Sequence, residues 1–321
     1  MTASKENVVI QAGDCRLTLM PALGGKIASI RVGPTELLQS PLHPYAVRSE
    51  TMGFAEGDAS CWDECLPSVA QCTVDLKAEP ATIPDHGDLW RVPWQVLDAS
   101  SDSATLRATC FSLPLQITRT MILKETASGW RLQILYSLIN LGTTPVPWAW
   151  TAHPLFLSEP GDRIVLPSEV QTLRLEGSGA NRLGANGDVV RWPHAHLADG
   201  KETDLSVAQP AESGYGDKLF TGAMTEGWCA LERYSAGLRI KVLFDPAITP
   251  YIGLWLCYGG WPEEAGLKQV CVALEPSTTP VDSLAETGSW SLSIAPGETF
   301  NWPMELEIDP IQPDQNISQP L

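Results

Sequence analysis

Positive charge is scarce in this chain: of 321 residues, 21 are Lys or Arg against 38 Asp or Glu, a formal net charge of −17. A field of that sign repels phosphate backbones and anionic lipid, which excludes nucleic acid and the membrane surface as expected partners and favours a small neutral molecule. Charge of either sign is low, at 18 %, too little for a coiled coil or a long helical protein. Long apolar runs are missing too, none approaching the roughly 20 residues that span a bilayer. The start, Met1-Thr-Ala-Ser-Lys-Glu-Asn7, holds charges instead of an apolar signal core, so a cytoplasmic location is expected. Strands do not alternate with helical stretches, and no glycine-rich turn follows a strand, which disfavours a Rossmann or P-loop enzyme. Histidine is rare, with five in all, so each can be weighed singly.

What the chain does have is turn and strand chemistry. Hydrophobic residues make up 44 %, which excludes a disordered chain, and 26 Gly, 26 Pro and 12 Trp point to turns and strands. Trp130, Leu132, Ile134 and Tyr136 alternate with Arg131, Gln133 and Leu135; the pattern recurs at Leu238, Ile240 and Val242, at Trp290, Leu292 and Ile294, and at Met304, Leu306 and Ile308. A period of two sends one set of side chains to a core and the other to water, as antiparallel sheets do. Gly33-Pro34, Asp245-Pro246 and Pro296-Gly297 punctuate these runs. The reading is all-β: one domain over residues 1–310, with 177–187 and 199–216 as loops inside it, and a flexible tail at 311–321. An exposed sheet edge leaves monomer and homodimer both open.

Eight Cys are spread through the chain without an export signal, so they read as reduced thiols. Cys61 and Cys65, with Cys72 and His86 nearby, lack the paired CxxC spacing of structural zinc, and no metal is expected. His43 sits in a proline-rich loop, and His194 and His196 read as an exposed strand or loop. His86, in Ile83-Pro-Asp-His-Gly-Asp-Leu-Trp90-Arg91, and His153, in Trp148-Ala-Trp-Thr-Ala-His-Pro-Leu-Phe156, stand where turn or strand meets an aromatic cluster. A hydrogen-bonded core histidine fits either nearly as well. Among the acids, Glu275 closes the apolar run Val270-Cys-Val-Ala-Leu274 just before Pro276, where the ladder is expected to stop. Burial there would raise its pKa toward that of a general base; otherwise it is a strand-end carboxylate reaching solvent. Asp63, Glu64 and Asp217 also lie beside aromatics, and Trp62, Trp90, Trp255 and Trp261 offer faces on which a sugar can stack, although most of the Trp must be core.

Asp85-His86-Gly87-Asp88-Leu89-Trp90 followed by Pro93-Trp94, then His153-Pro154-Leu155-Phe156, Asp217 before an apolar pair, and Leu274-Glu275-Pro276 occur in an order that resembles the aldose 1-epimerases of the galactose mutarotase-like superfamily, in a bacterial branch, from about Leu17 to Ile308. The resemblance implies a β-supersandwich of large, mainly antiparallel sheets around a monosaccharide cleft. It also implies His153 as general acid, Glu275 as general base, His86 as a binder of ring or hydroxyl oxygen and Asp217 as a hydroxyl acceptor, without a cofactor. Asp63, Arg91 and Trp255 join these as substrate-binding candidates. The early Asn-Arg motif of that family has no counterpart near Gly24-Gly25-Lys26-Ile27, where Arg48 or Arg91 would have to substitute.

Opening a hemiacetal requires a base at the anomeric hydroxyl and an acid at the ring oxygen, expected on opposite sides of one pyranose. A hexose phosphate is disfavoured by the −17 charge and the lack of an Arg cluster. Two further alternatives are a carbohydrate-binding or sensing protein on the same scaffold, and a lyase or hydrolase using Asp63 or Glu64 with Tyr215.

Overall fold

The computed structural model describes residues 6–76, 79–263 and 266–311. The strand alternation read from the sequence is realised in two large sheets whose strand pairs are all antiparallel. An eight-stranded sheet runs in the order Arg163–Val165, Trp228–Arg233, Leu238–Phe244, Thr299–Pro310, Trp130–Asn140, Leu115–Glu125, Ser103–Thr109 and Gln95–Ala99. Its long strands bury every second residue, among them Leu132, Ile134 and Tyr136, and Met304, Leu306 and Ile308. That is the signature of a sheet with one face on a core and one in water.

The second sheet has eleven strands. Along its main path lie Val8–Ala12, Cys15–Met20, Lys26–Val32, Trp62–Cys65, Thr151–Leu157, Val270–Ser277, Tyr251–Tyr258, Tyr215–Thr221, Thr172–Ser178 and Val189–Arg191, with Thr35–Glu36 paired to Lys26–Val32. Its central strands do not alternate in exposure: Trp62–Cys65, Thr151–Phe156 and Cys271–Ser277 are buried throughout. One face, with Ala152, Leu254, Leu256, Val272 and Leu274, belongs to the main core, which also takes in residues of the eight-stranded sheet such as Ile117, Met121, Leu132 and Leu306. The other face carries separate small apolar clusters, one of Leu155, Cys257, Cys271 and Ala273 and one of Leu42, Phe54, Ala59 and Trp90, with Trp261 packed against both. Loops therefore cover this second face, and the polar residues of the central strands lie beneath them.

Several local expectations change. Among the described residues the helices are four three-residue 3₁₀ turns. Trp290 ends one of these and is exposed, so the strand there is only Leu292–Ile294. Pro276 does not stop the ladder, because Ile252 pairs with Pro276 and Tyr251 with Ser277; Glu275 is thus inside its strand. Pro154 likewise lies within Thr151–Leu157, opposite Trp62. A proline is tolerated in such a position where its missing N–H leaves no ladder bond unmade. Most of the proposed tail, 312–321, lies outside the described residues. No helix among the described residues is long and apolar enough to cross a membrane.

Candidate functional site

The site grows out of strand register. Asp63 pairs with His153, Gly253 with Glu275 and Phe220 with Gly253. His153 and Glu275 each lie midway between the paired residues Thr151 with Ser277 and Leu155 with Ala273, so Asp63, His153, Glu275, Gly253 and Phe220 form one row across the sheet. Lys218, Trp255 and Ala273 make the adjacent row on the same face. Gly253 keeps the first row open: a Cβ there would come within 2.9 Å of Glu275 Oε2 and 3.1 Å of the Phe220 ring.

Glu275 has no accessible surface, which removes the reading of a strand-end carboxylate reaching solvent. Its two oxygens are treated differently. Oε2 accepts a hydrogen bond from the Lys218 ammonium, whereas Oε1 is buried without a hydrogen-bond partner and faces His153 Nε2 at 3.9 Å. A buried acceptor left unpaired costs roughly 1–3 kcal/mol, and one that faces a histidine calls for an explanation, for which a chemical role is a candidate. His153 is 6 % exposed. Burial first, then the charges of His86, Lys218 and Lys26, hold its pKa well below the usual value, so the resting imidazole is neutral. Burial works against the Lys218 ammonium, but Asp282 and Glu275 outweigh it and raise its pKa. Asp282 Oδ1 lies 3.5 Å from Lys218 Nζ, and burial pushes this carboxyl up to about 6 against the pull of Lys218.

Above the row lies a cavity of about 270 Å³, bordered by Phe54, Asp85, His86, His153, Lys218, Trp255, Trp261, Gln269 and Asp282 with Val69. Glu275 is directly beneath His153 and Lys218. Trp255 is held by a hydrogen bond from Nε1 to Gln269 Oε1 (2.9 Å), and Gln269 Nε2 is anchored on the Ala59 carbonyl (2.9 Å). His86 reaches the cavity from a strained turn with a positive φ of 59°, a conformation that costs a residue with a Cβ and persists where the surroundings fix it. The following Gly87 (φ 66°) passes so close to Leu66 that a Cβ would lie 2.3 Å from its carbonyl oxygen. The turn holds the His86 ring flat on Phe54, with centroids 3.7 Å apart and planes at 5°, and 5.2 Å from the His153 ring. Its Nδ1 lies 2.9 Å from Asp85 Oδ2.

Of the residues singled out from sequence, His86, His153 and Trp255 border the cavity and Glu275 underlies it. Three others are placed elsewhere. Asp217 faces away from the cavity, and its carboxylate accepts bonds from Ser178 Oγ (2.6 Å) and Arg182 Nε (2.9 Å) and Nη2 (2.5 Å). Asp63 shares the row of His153 and Glu275 but accepts from Lys26, which also lies 2.9 Å from Asp58. Arg91 donates to the carbonyls of Met52, Asp85 and Gly87, bracketing His86, and stacks on Trp90. Arg48, the other candidate for a binding arginine, pairs with Asp58. Glu64 lies on the opposite sheet face, bonded to Arg119, Tyr136 and Trp150, and Tyr215 packs under Arg182, so neither joins Asp63 in a second site. Trp62 and Trp90 are fully buried, while Trp261 borders the cavity.

Sequence reasoning missed Phe54, Gln269, Asp282 and, most consequentially, Lys218. The signal for Lys218 was present: in an extended Tyr215–Thr221 strand, Asp217 and its neighbour point to opposite faces. Among the described residues no group of three or more His, Cys, Asp or Glu is arranged to hold a metal. Cys61 instead contacts the carbonyls of Ala28 and Gln39.

Two large antiparallel sheets with a site on the outer face of one of them define the galactose mutarotase-like β-supersandwich, and the chain has that fold. Neither a scan against protein-family models nor a search of curated proteins finds a match. Solved structures do match. An aldose 1-epimerase candidate from Escherichia coli K12 is similar over 95 % of this chain and 99 % of its own, at a TM-score of 0.70 and 18 % identity. A galactose mutarotase-like protein from Lactobacillus casei covers 94 % of this chain and 100 % of its own (TM-score 0.64, 15 % identity). The GalM/aldose epimerase homologue from Caenorhabditis elegans covers 96 % and 100 % (TM-score 0.64, 13 % identity).

Proposed function

We propose that this protein is an aldose 1-epimerase that interconverts the α and β anomers of a neutral monosaccharide without a cofactor. The observation that carries the reading is Glu275, fully buried, with one oxygen clamped by Lys218 and the other unpaired 3.9 Å from His153. Base and acid stand side by side here, not on opposite sides of a ring as the sequence argument had it. Hemiacetal chemistry agrees with that arrangement, since the anomeric hydroxyl and the ring oxygen are attached to one carbon. Glu275 Oε1 takes the hydroxyl proton while His153 in its protonated form gives one to the ring oxygen, and the open aldehyde rotates and closes by the reverse steps.

The walls support a monosaccharide. Trp255, Trp261 and Phe54 supply apolar faces, and His86, Asp85 and Asp282 supply hydroxyl partners. Among the described residues no arginine borders the cavity, and the lysine that does, Lys218, is engaged by two carboxylates, which argues against a phosphorylated sugar. All eight cysteines are free and seven are buried, which suits a reducing, cytoplasmic setting.

A panel of free aldoses followed by saturation-transfer NMR tests the reading. Wild type is expected to exceed the spontaneous anomerisation rate, and Glu275→Gln to lose about 10²–10⁴-fold of that acceleration. Equal rates for the two proteins on every sugar would end the proposal. Because Glu275 is itself sealed beneath His153 and Lys218, a second reading is a sugar-binding protein without turnover. Thermal stabilisation by a sugar, with no change in its anomerisation rate, would select it.

A further inference from the structure

We infer that Lys218 is a positioning residue for Glu275, holding it as an ionised base with Oε1 turned to the reacting atoms; this rests on the reading of Glu275 as the base. The ammonium borders the cavity and bonds Glu275 Oε2 from Tyr215–Thr221, across the intervening strand Tyr251–Tyr258, so that only Oε1 is left to accept a proton. The groups facing Glu275 include His153 from Thr151–Leu157, Cys65 from Trp62–Cys65, Cys271 on its own strand, and Asp282 from the following loop. From Tyr251–Tyr258 it meets Gly253. Lys218 is the permanent cation in contact with it, while Lys26 is committed to Asp58 and Asp63. A carboxylate without solvent stays ionised only beside such a partner.

Asp282 gives Lys218 a second function. In the ring-opening step the O1–H bond breaks and an Oε1–H bond forms. The C1–O5 pair passes to O5, which takes the His153 proton. Glu275 thereby loses its charge, and Lys218, 3.5 Å from Asp282 Oδ1, keeps a carboxylate partner throughout. The lysine can thus remain an ammonium in both halves of the reaction, as a reversible anomerisation requires.

The test uses the full chain carrying glutamate labelled with ¹³C at the side-chain carboxyl, with the Glu275 resonance assigned by its loss in Glu275→Gln. Glu275 is titrated in wild type, Lys218→Met, Lys218→Gln and Lys218→Arg, and kcat/KM for anomerisation is measured against pH in each. The Gln variant keeps a hydrogen-bond donor if Met fails to fold. In the neutral variants the Glu275 midpoint and the acid limb of kcat/KM are expected to rise together by about 1–3 units, with Arg restoring both toward wild type. A Glu275 midpoint that does not move when the charge is removed overturns the inference. If wild type shows no anomerisation, the epimerase reading falls, and the carboxyl titration still decides for or against Lys218.

Discussion

At neutral pH the folded chain holds His153 uncharged, because burial and then the neighbouring His86, Lys218 and Lys26 oppose a proton there. An unfolded chain exposes the same imidazole, which titrates near 6.5. As pH falls below 6.5 the unfolded state takes up the proton first, so this residue's contribution to stability is lost on acidification, with a slope of at most about 1.4 kcal/mol per pH unit. His153→Gln is therefore expected to flatten the dependence of unfolding free energy on pH between 7 and 5 in urea titrations; parallel curves for the two proteins would contradict it. The same depression bears on turnover. If His153 must carry a proton to the ring oxygen, the descending limb of wild-type kcat/KM falls below pH 6.5, and a limb above 7 would remove His153 from that role. His153 and Glu275 were legible in the sequence because a polar residue in an apolar, aromatic strand invites a chemical explanation. Asp217 was singled out beside aromatics and, from the resemblance, as a hydroxyl acceptor; it lies on the face away from the cavity, since neighbouring residues of a strand diverge and Lys218 has the cavity side.

At the scale of elements, the turn at Pro84 to Gly87 shows how backbone conformation places a side chain. Gly87 N donates to the Pro84 carbonyl and His86 N to the Val69 carbonyl, while Arg91 bonds the carbonyls on either side of His86. Pro, Asp and Gly made the turn legible beforehand. The packing of Gly87 against Leu66 was not, because residues 21 apart in sequence meet only after the sheet has formed. Gly87→Ala faces both a positive φ and backbone contact at 2.3 Å, where no side chain can yield. A loss of about 1–3 kcal/mol in unfolding free energy is expected, together with weaker sugar binding as His86 leaves Phe54, measurable by calorimetry. A stable variant with unchanged affinity would show that the turn does not set the position of His86. Gly253→Ala probes the strand row in the complementary way: its Cβ meets the clamped end of Glu275 at 2.9 Å. The expected result is at least about a tenfold loss of anomerisation, as befits a displaced reacting group, with a smaller effect on stability than Gly87→Ala. Activity at the wild-type level would show that Glu275 tolerates displacement.

Across the whole molecule, the period-two pattern revealed strands and their buried faces but not their order. The neighbours of Thr151–Leu157 are Trp62–Cys65 and Val270–Ser277, segments roughly 90 and 120 residues away in the chain, and nothing local encodes such pairings. Among the buried polar contacts that join the two large sheets is the one at Glu64, beside that of Arg233 with the Glu36 carbonyl. Arg119, from the eight-stranded sheet, donates to Glu64 Oε1 at 2.9 Å in the other, and Tyr136 Oη and Trp150 Nε1 complete the carboxylate's partners, each at 2.9 Å. Arg119 also reaches the Gly25 carbonyl and lies over Trp94. Glu64 is adjacent to Asp63 on the strand that supplies the end of the site row, so this contact fixes the sheet from behind, on the face away from the cavity. Replacing a buried ion pair with apolar groups can be neutral, whereas removing one partner strands the other charge. Arg119→Met is accordingly expected to cost about 3–5 kcal/mol in urea denaturation. Arg119→Met with Glu64→Leu should recover part of that loss and not all of it, because Tyr136 and Trp150 then lose an acceptor. A double variant less stable than the single one would show that the carboxylate, and not the ion pair, holds the sheets in register. A single variant within about 1 kcal/mol of wild type would mean that apolar packing between the sheets suffices without the pair.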